Sequence, residues 1–97
     1  MKIIFAERVS RDLNHIQTWI GHDSPRSAQR VIDAILDHIE RLSVFPFLGR
    51  TSIVPVVREA VVPRLPYVVV YRLADAKDEL LVIAVYHAAQ DRGDWRG

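Results

Sequence analysis

Cysteine is absent from the 97 residues. That excludes a disulfide framework, a cysteine zinc site and thiol catalysis, and it suits a cytoplasmic protein. Lysine is nearly absent as well, occurring only at Lys2 and Lys77, whereas arginine is frequent. Arginine suits carboxylate and phosphate recognition, although codon usage in a GC-rich genome produces the same bias. No long apolar run is present. "MKIIFAERVSRDL" at the N-terminus is too short in its apolar part for a signal peptide or a membrane span. There is no internal repeat, low-complexity tract or linker. His15, His22 and His38 lack metal-ligand spacing, so they are expected at the surface, with neither metal nor cofactor.

What is present describes an ordinary globular chain. With 49% apolar and 26% charged residues over 97 positions, it supports one hydrophobic core, so residues 1–97 are expected to form a single domain. A net charge of +1 does not indicate a bulk nucleic-acid binder, and no direct contact with DNA is expected. The charge is unevenly placed. From Gly49 to Leu73 there are Arg50, Arg58, Arg64 and Arg72 against Glu59 alone, so the middle segment is the basic one.

The hydrophobic period changes once along the chain. "KIIF", Lys2 to Phe5, reads as a short strand. Val9, Leu13, Ile16 and Ile20 then recur at helical spacing, with Ser10 as the expected N-cap and Gly21 as the stop. A second helix opens at "DSPRSAQR", capped by Ser24 with Pro25 in the first turn, and its apolar face runs from Ala28 to about Leu42. "SVFPFLGRTSIVP" breaks that helix, and Phe45, Phe47 and Leu48 are expected to fold under its end. "VVREAVV", "YVVVYRL" and "ELLVIAVYH" follow as strands joined by the short links "PRLP" and "ADAKD". The expected fold is α+β: an N-terminal strand, an antiparallel helical hairpin, then a three-stranded antiparallel meander with the helices on one face. The last strand is apolar on both alternating sets, Leu81, Ile83, Val85 and Leu80, Val82, Ala84, Tyr86. Its second face therefore needs a cover, from the chain's own loop and tail or from a partner.

The segments "RDLNHIQTWI", "SPRSAQRVIDAI", "FPFLGR", "VREAVV", "YVVVYR" and "VYHAAQDR", in this order, resemble the RelE/ParE superfamily of type II toxin–antitoxin toxins over nearly the whole chain. The resemblance implies a compact plasmid-stabilisation toxin held in check by a cognate antitoxin, which would carry any DNA binding. It implies inhibition of translation or of DNA replication. RelE-like members are ribosome-dependent messenger RNA endonucleases with basic and aromatic groups on the meander. ParE-like members inhibit DNA gyrase. Here Val68 follows Tyr67 where RelE-like toxins carry an arginine, and Glu59 and Val61 stand where they carry lysines. The "HAAQDR" end is similar to the ParE-side H-x-x-x-D ending. The ParE-like reading, with gyrase as target, is thus preferred over a ribosome-dependent nuclease and over an inactive toxin-fold binding module.

If the chain is a nuclease, His87 is the candidate acid or base. Arg58 or Arg72 would hold the phosphate, and Tyr71 or Tyr86 would stack on a base. The plainer reading of His87 is a cap on the last strand, bonded to Asp91. Arg58, Arg64, Arg72, Tyr86, His87, Asp91, Arg92 and Trp95 are the candidates for contact with antitoxin or target. The segment from Gln90 onward is expected to serve target inhibition more than folding. Of Tyr71 and Arg72, adjacent on a strand, one should be buried and the other should face a groove. Trp19 is expected to pack at the edge of the first helix's apolar stripe.

Overall fold

The computed structural model describes residues 1–89. The elements are β1 (Lys2–Phe5), α1 (Glu7–Gly21), α2 (Pro25–Val44), β2 (Arg50–Thr51), β3 (Val57–Val61), β4 (Tyr67–Ala74), a 3-10 turn at Asp75–Lys77 and β5 (Glu79–His87). They make one sheet in the order β1-β5-β4-β3-β2, with the helical hairpin on one face. The meander β3-β4-β5 is antiparallel as expected. Two features were not expected. Arg50 and Thr51 pair with Glu59 and Arg58 as a fifth strand, and β1 joins the far edge parallel to β5.

Helix α1 starts three residues before Ser10. Ala6 donates its N–H to the Val82 carbonyl at 2.9 Å, so the chain passes straight from the sheet into the helix. Glu7 then places a carboxylate in the first turn, where free N–H groups favour it. Ser10 is inside the helix, with its hydroxyl turned back to the Glu7 carbonyl. The second helix follows its sequence signals. Ser24 Oγ accepts the Ser27 N–H at 3.2 Å, and Pro25 occupies the first turn.

The main core lies between hairpin and sheet. Val9 and Ile16 of α1 and Ile32, Ile35, Ile39 and Leu42 of α2 pack on Ala60, Val69, Tyr71, Leu80, Val82 and Val85. Each such aliphatic side chain stabilises the fold by about 1.5–3 kcal/mol relative to exposure.

The strict alternation expected along β5 does not hold. Val70 pairs with Ala84 and Tyr71 with Val82, so Ile83 is an extra residue on β5. The bulge reverses the facing of everything after it. Leu80, Val82 and Val85 share the helix side, while Ala84 and Tyr86 lie on the other. That other face is not an open apolar surface. Val57, Val68, Val70, Ala84 and Tyr86 form a second buried cluster, with Val54 of the β2–β3 loop packed against it, and Val70 is 0% exposed in the isolated chain.

Beyond Phe5, the outer edge of β5 has no strand beside it among the described residues. Asp12 of α1 takes over there: its Oδ2 accepts the Val85 N–H at 3.0 Å. Arg8, one turn earlier, holds the same carboxylate through two bonds of 3.1 and 3.2 Å.

His15 and His22 are exposed, but His38 is half-buried on α2. Burial, assisted by the nearby Arg41 charge, lowers its pKa from the ordinary 6.5. The unfolded chain therefore takes up this proton first as pH falls. His38 costs the fold nothing above its unfolded pKa, destabilises it progressively below 6.5, and adds no further loss below its folded pKa. Replacing His38 by Gln should flatten the fall of the urea midpoint between pH 7 and pH 5; an unchanged slope would show that His38 does not contribute. Among the described residues no helix is long and apolar enough to cross a membrane.

Candidate functional site

The loop from Phe45 to Gly49 is held by a clamp. Tyr71, fully buried on β4, donates its hydroxyl to the Pro46 carbonyl at 2.7 Å and accepts the Gly49 N–H at 2.9 Å. Arg58 on β3 donates to the Gly49 carbonyl from two nitrogens, at 3.1 and 2.7 Å. Its guanidinium also lies over the Phe47 ring, 5.1 Å from the centroid. A Cβ at Gly49 would fall 2.5 Å from the Tyr71 hydroxyl, so only glycine fits without displacing a buried ring.

The clamp corrects the expectation for Phe45, Phe47 and Leu48. The loop's inner side is backbone bonded to Tyr71 and Arg58, so the space under the helix end is already filled. The three large side chains turn outward and are exposed. Trp19, expected at the edge of the core, is exposed too.

On the opposite face Glu59 is the one buried acid among the described residues. Its Oε1 lies 3.4 Å from the Tyr86 hydroxyl and 3.5 Å from an Arg50 nitrogen. Arg50 and Glu59 are paired across β2 and β3, which brings the two charges together. Arg58 and Glu59 point to opposite faces, as neighbours on a strand must. Tyr71 and Arg72 divide the same way: the tyrosine is in the core and the arginine is exposed.

His87 ends β5 with its ring edge-on to Tyr67, at 5.3 Å between centroids. Its Nδ1 accepts the Ala89 N–H at 3.0 Å, a local cap on the strand exit. Burial raises the pKa of Tyr67 above its usual value. Arg64 is exposed in the turn between β3 and β4, with φ of 65°. Asp91, Arg92 and Trp95 lie outside the described residues.

The nuclease candidates do not converge. Arg58 and Tyr71 are engaged with the loop on the helix side, and Arg72 is on the other face. His87 pairs with Tyr67, four residues along β4 from Tyr71 and so about 13 Å away. Of the three positions where the resemblance puts cations in RelE-like toxins, Val68 and Glu59 are buried and Val61 is exposed. Among the described residues no group of three His, Asp or Glu side chains is placed to hold a metal ion. Sequence reading missed Pro46, Gly49 and Asp12. The only local signal for the first two is the Pro–Gly punctuation of "FPFLGR", and nothing local marks Asp12.

The order of a strand, a helical hairpin and a meander is the fold of solved ParDE and RelE toxin structures. The chain belongs to the ParE toxin family of type II toxin–antitoxin systems, whose description, "ParE toxin of type II toxin-antitoxin system, parDE", matches residues 3–92. It is 30% identical over 89 residues to Y4kP of Sinorhizobium fredii, a protein named as a toxin, covering 92% of this chain and 90% of that one. It is also 30% identical to Toxin RelE2 of Caulobacter vibrioides, covering 92% of this chain and 97% of the relative. Its fold is similar to a chain of the chromosomal ParDE system from P. aeruginosa, with a TM-score of 0.77, 21% identity and coverage of 90% and 95%.

Proposed function

We propose that this chain arrests bacterial growth by inhibiting DNA gyrase and that a small cognate antitoxin neutralises it by direct binding. The observation that supports gyrase over messenger RNA cleavage is the dispersal of the basic and aromatic groups. Metal-free RNA cleavage needs a base for the 2′-hydroxyl, cations at the scissile phosphate and an acid for the leaving oxygen, all within reach of one atom. Here Tyr71 and Arg58 are engaged in holding a loop, and Arg72 and His87 are separated by the sheet and by its length. Glu59 adds a carboxylate where a phosphate would need a cation. A stable antitoxin complex calls for about 1,000 Å² or more of buried surface. The helical hairpin is the larger surface available for it, because the far face of the sheet is already buried.

The name of the Caulobacter relative favours one alternative, a RelE-like nuclease. Induced expression with and without the adjacent antitoxin gene separates the two readings. We expect growth arrest without the neighbour, loss of plasmid supercoiling, intact messenger RNA, and no change of activity in His87→Ala. Codon-position cleavage on programmed ribosomes, abolished by His87→Ala, would transfer the function to the ribosome. Absence of growth arrest in several hosts with soluble protein present would leave only a binding module.

A further inference from the structure

Two turns of the chain are built alike. In residues 54–57 and 62–65 a proline stands second, and the last N–H returns to the first carbonyl at 3.2 and 3.1 Å. The third residue of each is left-handed, Val56 at φ 60° and Arg64 at φ 65°. This is the type II turn, whose third position glycine fills without strain. Asp78, also left-handed, belongs to a residue type that tolerates such backbone. Val56 lines a cleft with Leu73, so its side chain has neighbours within the chain. Arg64 has neither reason. Its side chain is exposed, and among the described residues it makes no hydrogen bond and no ion pair. The strained backbone is nevertheless held firmly. Pro63 and Pro66 stiffen the turn, Leu65 packs against the main core, and the Val62 N–H reaches the Tyr67 carbonyl at 2.9 Å. The Pro66 carbonyl accepts the Ala88 N–H at 2.7 Å, which ties the tip to the exit of β5, where the Tyr67 and His87 rings meet. Left-handed backbone at a non-glycine residue costs stability, and it persists where the side chain serves something other than the fold.

The chemistry of the tip indicates what meets it. The exposed side chains flanking Arg64 are Val61, Pro63 and Pro66, all uncharged. Along the two strands that the turn joins, the acids are engaged or distant. Glu59 is buried beside Tyr86 and Arg50, and Asp75 follows the far end of β4. A nucleic-acid backbone is tracked by several cations together, and this turn offers one. A single planar guanidinium among apolar groups matches a single carboxylate, which it holds through two parallel bonds. Fixing the backbone in advance leaves only the side chain to be ordered on contact, which favours binding. We propose that Arg64 engages a carboxylate of the toxin's protein target, with Val61, Pro63 and Pro66 as the apolar surround of that contact. The inference rests on the proposed toxin activity and names one contact through which it acts.

The test uses the full chain with Arg64→Gly, Arg64→Asn and Arg64→Lys. Glycine and asparagine both suit left-handed backbone. Their thermal midpoints should equal that of the natural chain or exceed it by up to about 5 °C. Inhibition of purified gyrase should nevertheless need about tenfold or more toxin for either. Arg64→Lys keeps the charge but not the fork, and should need about threefold more. Arg30→Gln, at an exposed arginine of α2, is the control for net charge and should inhibit normally. Antitoxin binding should be unchanged in all four. Stability kept or raised while inhibition is lost is a result that a structural role for Arg64 does not produce. Undiminished inhibition by folded Arg64→Gly overturns the proposal. So does a lowered midpoint in both Arg64→Gly and Arg64→Asn, which would make the arginine a support of the turn. Loss of antitoxin binding with inhibition kept would assign Arg64 to the antitoxin and overturn it as well. If the natural chain stops growth without touching gyrase, the gyrase reading alone falls. Growth arrest at matched expression then decides: Arg64→Gly arresting as the natural chain does overturns the contact, and failure to arrest supports it. A labelled DNA duplex that binds the natural chain but not Arg64→Gly, with gyrase absent, would assign the guanidinium to phosphate and overturn the carboxylate.

Discussion

Tyr71→Phe is expected to lower the unfolding free energy by about 2–4 kcal/mol, because it strands two polar groups at once. The Gly49 N–H loses its acceptor and the Pro46 carbonyl loses its donor, at a point the core already encloses. In a domain of this size that corresponds to a drop of more than about 10 °C in thermal midpoint. Gly49→Ala should be costly for a related reason, since its Cβ would fall 2.5 Å from the same hydroxyl. The two losses should not add, because each breaks the same clamp. Urea denaturation of both single variants and the double variant measures this. Retained stability in Tyr71→Phe, with inhibition lost, would mean that Tyr71 acts on a target and that the clamp is incidental.

Asp12→Ala should cost about 1–3 kcal/mol through the orphaned Val85 N–H, which lies two residues past the bulge and, among the described residues, has no strand beside it. Asp12→Asn should cost less. Its amide oxygen can still accept the Val85 N–H, but the doubly bonded ion pair to Arg8 is gone. Hydrogen exchange reads the effect at its source: the Val85 amide should lose protection in Asp12→Ala more than the amides of β3 do. Equal loss throughout the sheet would mean that the bond adds only to global stability and does not secure this edge. The consequence reaches function, because His87 lies four residues beyond Ile83, the extra residue of the bulge. The facing of the strand exit depends on Ile83 being accommodated there.

These two networks explain why the candidate site was only half legible. Arg58, Tyr71 and Arg72 were recognisable as strand residues of unusual chemistry, and strand alternation separated Tyr71 from Arg72. What the hydroxyl of Tyr71 bonds to is set 25 residues away in sequence, at Pro46, in a segment with no period. The exposure of Phe47 was misread for the same reason. Burial follows from which groups already fill a space, and the clamp fills the space beneath that loop with backbone. The face of β5 was misread because one extra residue reverses a two-residue period, and no composition signal marks Ile83 as that residue.

The sequence by itself determined the α+β class, the helical hairpin, the antiparallel meander and the family resemblance. Those depend on local periods of 3.6 and 2, on caps such as Ser24 and on turn residues between strands, all of which act over a few positions. Only the tertiary structure decided that β1 closes the far edge in parallel and that Asp12 completes it. It alone decided that the second sheet face carries a buried cluster, that Arg58 and Tyr71 hold a loop, and that Phe45, Phe47 and Leu48 on that loop face water. Each of these is a pairing between groups distant along the chain, where hydrogen-bond satisfaction and close packing select one arrangement among many that the local pattern allows.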